Sequence, residues 1–234
     1  MIPLWLHLLS WAALLLGGGC AAFIAADVMR HPQKMAVMNV VWPTTALFGS
    51  VLTLWAYRRY GRLKSKDAGD KDPDIAFPII VAKGALHCGS GCMIGDILAE
   101  TLGFVIPPVL VAFGWHWLFD EKIFATWGLD FVFAFALGIV FQYFAIVPMR
   151  KLPLWAGLSA AFKADTLSLC AWQVGMYGFM AVAQFLLFRP LLHVRLEPNS
   201  AEFWFVMQIA MCAGFATAYP VNWWLISAGI KEKM

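Results

Sequence analysis

Between Lys83 and Glu100 the chain reads Lys83-Gly-Ala-Leu-His87-Cys88-Gly-Ser-Gly-Cys92-Met93-Ile-Gly-Asp96-Ile-Leu-Ala-Glu100. An imidazole, two thiols, a thioether and two carboxylates thus sit inside an apolar stretch. On a helix each step of four residues rises about 6 Å and turns only about 40°. Cys88, Cys92, Asp96 and Glu100 therefore form one slowly winding stripe, and Lys83, His87, Gly91 and Gly95 a second. An ionised carboxylate at mid-membrane depth costs on the order of 2.5–3.5 kcal/mol. Asp96 is expected to face the interior of a bundle, and the thiols on its face with it. His87, Cys88, Cys92 and Met93 offer nitrogen, thiolate and thioether donors close together. Such soft ligands select Cu(I) first, while a Cys and His mixture also suits zinc.

Two later segments repeat the theme. Met176 and Met180 are four residues apart with Cys170 ahead of them, and Met207 and Met211 repeat the spacing with Cys212 adjacent. Thioethers one turn apart are similar in spacing to those of copper-uptake channels of the Ctr type. Packing offers a plainer account of the same residues. Methionine and cysteine are ordinary buried side chains, and Gly84, Gly91 and Gly95 let helices approach closely. That glycine surface would equally dock a partner membrane subunit or a second copy of the chain as a homo-oligomer. A thiol-disulfide oxidoreductase is the alternative chemistry. Thiols at i and i+4 diverge on a regular helix and sit near the limit of disulfide geometry, so this reading needs Gly89-Ser90-Gly91 to break the helix. Haem is disfavoured, because two axial histidines at one depth are needed and His7, His31, His116 and His193 fall nearer the interfaces than His87. Lys83, Asp96, Glu100, Lys163 and Asp165 are expected to form a polar path, Asp165 by capping the start of a helix. Asp130 is expected to snorkel outward. Motifs for phosphate binding or a Ser-His-Asp hydrolase are absent, so an enzyme is the less favoured class.

These residues need elements that hold them in lipid. Of 234 residues 62% are hydrophobic and 13% charged, against 45–50% and about 25% in soluble domains. A net charge of +3 excludes a nucleic-acid footprint. Five cysteines, all in apolar segments, exclude a secreted disulfide framework. A span needs roughly 20 apolar residues, and Pro3–Ala26, Met35–Tyr57, Ile123–Val147, Ala164–Phe188 and Phe203–Ala228 each supply them. The first carries no leading Lys or Arg and is expected to be retained rather than cleaved. Phe77–Phe119 crosses once or twice. If once, twelve Lys and Arg share one side and five (Arg30, Lys34, Lys122, Arg189, Arg195) lie opposite, which obeys the positive-inside rule better than two crossings do. Pro107-Pro108 is expected to kink that segment. The expected architecture is all-α, a polytopic bundle of about six transmembrane helices with both termini cytoplasmic. It divides into a two-helix hairpin over 1–60, a charged linker over 61–75, and a four-helix domain over 76–234. Leu152–Phe162 is expected to lie as a short helix in the inner interface.

The set His87-Cys88-Gly-Ser-Gly-Cys92-x-x-Gly-Asp96, Phe141-Gln-Tyr-Phe-Ala-Ile-x-Pro148-Met-Arg150, Lys163-Ala-Asp-Thr-Leu-Ser168, Met207-Gln-Ile-Ala-Met211 and Tyr219-Pro-Val-Asn-Trp-Trp224 resembles the bacterial membrane family DUF4396 over Ala76 to Met234. His31-Pro-Gln33 and Met38-Asn39-x-x-Trp42-Pro43 resemble its usual N-terminal extension. The resemblance implies a multi-pass protein of the bacterial inner membrane and no assigned activity. It also implies a metallochaperone among the partner classes, since some relatives are joined to copper-chaperone-like modules. The expected function is handling of Cu(I) through His87, Cys88, Cys92, Met93, Met176, Met180, Met207 and Met211, in the lipid bilayer and without nucleic acid. A non-catalytic accessory subunit is a further alternative.

Overall fold

A computed structural model describes residues 2–62 and 75–233, and of 148–150 only the backbone. Most of the expected linker, with Lys64, Lys66 and Lys71, lies outside the described residues. The described chain is helical: α1 (Leu4–Arg30), α2 (Met38–Ala56), α3 (Phe77–Val105), α4 (Lys122–Arg150), α5 (Leu154–Ala181) and α6 (Ala201–Ser227). Short π-helical stretches extend α2 through Tyr57–Gly61 and α5 through Val182–Leu192. Six helices are thus long and apolar enough to cross a membrane. Large apolar side chains such as Leu15, Leu52, Val174 and Leu186 are exposed, as lipid-facing residues are.

Local chemistry sets the helix ends. Pro3 and Pro153 precede α1 and α5, Pro78 occupies the first turn of α3, and Ser200 caps α6 by accepting the Phe203 amide at 3.2 Å. The Pro107-Pro108 pair ends α3 rather than kinking it. Pro107 disfavours helical backbone at Ile106, and a 3₁₀ turn (Pro107–Phe113) leads to Gly114 at φ 97°. Phe77–Phe119 therefore holds one helix long and apolar enough to span, Phe77–Val105. The separate interfacial helix expected over Leu152–Phe162 is not found. Leu154 opens a helix that runs unbroken to Ala181, so Asp165 lies three turns inside α5 and cannot cap its start.

The second helix departs most from expectation. Ser50 adopts φ 43°, ψ −122°, close to the first central residue of a type II′ turn, and α2 doubles back there. Trp42 and Tyr57, about 22 Å apart on a straight helix, have ring centroids 5.7 Å apart. The Thr53 hydroxyl donates to the Thr45 carbonyl at 3.3 Å. Both ends of α2 consequently sit beside the last turn of α1, where Asp27 accepts from Tyr57 Oη at 2.7 Å and pairs with Arg62 Nε at 3.0 Å. The residues leading into the turn pack on other helices, while Val51 and Leu52 just past it are exposed. Gln208 of α6 donates to the Leu47 carbonyl at 2.6 Å, and Phe48 packs on Trp172 of α5 at 5.9 Å.

At the other end of α1, His7 Nδ1 meets Glu202 Oε1 at 2.6 Å in the first turn of α6. Lys231, four residues beyond α6, contacts Gly84 near the start of α3. The N-terminal and C-terminal ends of the described chain thus lie at opposite ends of α6. In the middle stands α3, with 56% of its most apolar window buried against 28–44% for the others. Gly91 and Gly95 explain its closeness to α4. A Cβ on Gly95 would fall 2.6 Å from the Ala134 nitrogen, and one on Gly91 3.1 Å from the Gly138 nitrogen.

Candidate functional site

The stripe Cys88, Cys92, Asp96 and Glu100 faces inward as its period demands, with exposures of 0, 0, 0 and 4%. It rises about 18 Å along α3 and passes three chemically distinct regions. Gly89-Ser90-Gly91 does not interrupt the helix, so the two thiols keep their i, i+4 separation, and both are free.

The first region surrounds Cys88. Its sulfur lies 2.7 Å from Asp165 Oδ1, 3.0 Å from Ser168 Oγ and 2.9 Å from Lys231 Nζ. Lys231 also donates to Asp165 Oδ1 at 2.9 Å and to the Gly84 carbonyl at 3.3 Å. Asn222 of α6 completes the network, donating to Ser168 Oγ at 2.6 Å and to the Ala218 carbonyl at 2.9 Å. Both members of the Lys231–Asp165 pair are fully buried. Burial works against the ammonium, but the Asp165 carboxylate and the Cys88 sulfur outweigh it and hold Lys231 above the ordinary lysine range.

The second region is rich in sulfur. Cys92 and Met93 of α3, Met176 and Met180 of α5, and Met207 and Met211 of α6 belong to one contiguous buried cluster, none more than 5% exposed. Trp172 lies among them, fitted over Gly89 of α3 and Gly214 of α6, where any Cβ would collide with the indole.

The third region is acidic. Asp96, and Asp130 of α4, are fully buried, and neither has a hydrogen-bond partner for either carboxylate oxygen among the described residues. Asp130 does not snorkel, because its side chain is fully enclosed. Glu100, one turn beyond Asp96, lines a polar cavity with Lys122, Thr126, Gln184, Arg195 and Glu197 at the end of the bundle where α4 and α6 begin. Tyr177 adds a hydroxyl near this region, donating to the Trp127 carbonyl at 3.0 Å.

The expected donors are therefore divided. His87 is buried with its ring against Phe141, centroids 6.1 Å apart, while Cys88 turns to Asp165 and Cys92 to the methionines. Among the described residues no three His, Cys, Asp or Glu side chains gather as a metal-ligand set. Cys170 is half-buried and Cys212 exposed, so neither joins the methionine cluster beside it in sequence. Of the expected polar path, Asp96, Glu100 and Asp165 are enclosed and Lys83 is half-buried. Lys163 is exposed, on the wall of a cavity with Ser159 and Ile230. The cation that meets Asp165 is Lys231, which sequence reading counts only as a charge in the tail. The available signal is Gly229, whose φ of 69° lets the chain turn back after α6.

No curated protein and no solved structure matches the chain. The family model "Domain of unknown function (DUF4396)" matches residues 80–231, a segment that opens before the α3 stripe and ends on the lysine closing its network, and the chain belongs to that family.

Proposed function

We propose that this protein carries a soft metal ion, Cu(I) before zinc, through the interior of α3–α6 in the bacterial inner membrane. The observation that supports it is that six sulfur side chains from three helices belong to one connected, buried apolar cluster. Methionine packs anywhere, but a cysteine and five thioethers along one interior also offer neutral, soft ligands of the type that select Cu(I). Neutral thioethers suit a passage better than a store, since they bind without the charge that would trap the ion. The carboxylates Asp96, Asp130 and Glu100 extend the path toward the polar cavity, where a cation would offset negative charge that is costly to bury alone. His87, set apart from this column, is assigned no ligand role. A metallochaperone is the fitting donor or acceptor, since free cuprous ion is scarce.

The test is anaerobic cuprous titration of purified protein in detergent against a colorimetric chelator. Wild type is expected to bind about one ion per chain. Replacing Cys92 by Ser with Met176, Met180, Met207 and Met211 by Leu should reduce affinity at least tenfold, while Met→Leu costs less than about 1.5 kcal/mol of stability per site. Equal affinity in the folded variant, or no binding by wild type, rejects the reading.

A further inference from the structure

We propose that Lys231 is a tethered stand-in for the transported cation, and that the cargo and the lysine exchange at Cys88 and Asp165. This rests on the soft-cation reading above. The ammonium is held by a backbone carbonyl, a sulfur and a carboxylate oxygen at 3.3, 2.9 and 2.9 Å, the kinds of donor that also hold a monovalent metal ion. The surroundings keep ligand capacity in reserve. Asp165 Oδ2 and Asn222 Oδ1 are buried and have no hydrogen-bond partner among the described residues.

The tether is short and anchored lightly. Beyond α6 the amides of Ile230 and Lys231 donate to the Leu225 carbonyl at 2.9 and 3.2 Å, and Gly229 supplies the turn at φ 69°. Withdrawing the lysine breaks these two bonds and its own three side-chain contacts but no bond within α6. A cavity lined by Ile146, Ser159, Lys163, Gly229 and Ile230 lies beside the tail, leaving space for it to move. Exchange of one positive charge for another keeps Asp165 compensated throughout, so the site is never left with an unpaired buried carboxylate.

Two measurements on the full chain decide it. In cuprous titration Lys231→Ala should bind at least tenfold more tightly than wild type, and adding Cys88→Ser should cancel the gain. In wild type, acylation of Lys231 by an N-hydroxysuccinimide ester, read by mass spectrometry, should rise at least fivefold when Cu(I) is bound. Unchanged affinity in folded Lys231→Ala overturns the proposal. If that variant does not fold, equal protection of Lys231 with and without Cu(I) overturns it. Failure of the cargo reading is distinguishable, because wild type then binds no Cu(I), whereas failure of the exchange alone leaves wild-type binding intact.

A separate set of contacts carries a second inference. The geometry points to α2 as a re-entrant hairpin, so that the chain crosses the bilayer five times and its ends face opposite sides. The far end of α2 meets Asp27 in the last turn of α1 and Trp42 near its own start, α1 and α6 begin together at His7 and Glu202, and the tail closes against the start of α3. Charge agrees with the arrangement. Among the described residues the end where α1 begins holds Lys122, Arg189 and Arg195, and every other described Lys and Arg belongs to the opposite end. That asymmetry exceeds the one expected from six crossings and places the C-terminus in the cytoplasm. Epitope tags at the two termini, probed with antibody in spheroplasts before and after permeabilisation, should show the N-terminal tag exposed in intact spheroplasts and the C-terminal tag only after permeabilisation. Both tags on one face would overturn the five-crossing topology.

Discussion

At the scale of single residues, the glycines of α3 divide the work that spacing alone assigns to them jointly. Gly89 makes room for the Trp172 indole inside the sulfur cluster, while Gly91 and Gly95 bring α3 against the α4 backbone. These demands differ in tolerance. A side chain can shift, but the Ala134 backbone beneath Gly95 cannot move without displacing α4. Gly95→Val should therefore cost about 1–3 kcal/mol, as overpacking does, and lower the thermal midpoint of the detergent-solubilised protein well below wild type. Gly18 has open space where its Cβ would be, so Gly18→Val in the same assay should leave the midpoint near the wild-type value. The inward direction of Cys92, Asp96 and Glu100 is legible in their four-residue spacing. The packing of His87 on Phe141 is partly legible too, since His87 belongs to the other stripe. What spacing does not reveal is the partner of each donor, because Asp165, Met176 and Met207 reach α3 only through helix packing.

At the scale of elements, α3 follows from its pattern and α2 does not. The stripe of α3 has a period and a proline in its first turn, both local constraints readable in order, whereas Pro107-Pro108, expected as a kink, ends the helix. The stretch Met35–Tyr57 is apolar throughout, and hydropathy cannot separate one straight span from two arms folded together. The mark of the fold is Gly49-Ser50, where Ser50 occupies a backbone conformation at φ 43° that glycine adopts more readily. Ser50→Gly should stabilise the protein by up to about 1 kcal/mol, read as a higher thermal midpoint in detergent. Ser50→Val should lower it, since a β-branched residue is strained there. A straight transmembrane α2 would reverse that order, with glycine weakening the helix interior by roughly 0.5–1 kcal/mol. A like ambiguity extends α5. Leu154, Trp155 and Phe162 are exposed apolar residues that fit an interfacial helix by composition, yet no helix-breaking residue follows them and the helix continues.

At the scale of the whole molecule, the parity of crossings follows from that one hairpin. On the proposed five-crossing topology a doubled-back α2 moves the N-terminus to the opposite face, gathers the basic residues more fully on one side, and leaves α3 to cross at the centre with α4, α5 and α6 around it. The tail then returns to the α3 stripe, so that the last described lysine but one closes the network that the first cysteine of the stripe begins. The amino-acid sequence by itself determined that the chain lives in lipid, that it is helical, and that the thiol and carboxylate stripe of α3 faces inward, and its loop charges favoured one crossing over two for Phe77–Phe119. These follow from local quantities: hydropathy over a span, helical period, proline stereochemistry and the cost of charge in hydrocarbon. Only the tertiary structure decided that Lys231 rather than Lys163 meets Asp165, that the methionines of α5 and α6 join Cys92, and that α2 turns back at Ser50. Each of those is a contact between residues distant in sequence. Its energy depends on which helix faces become neighbours, and no local pattern encodes that choice.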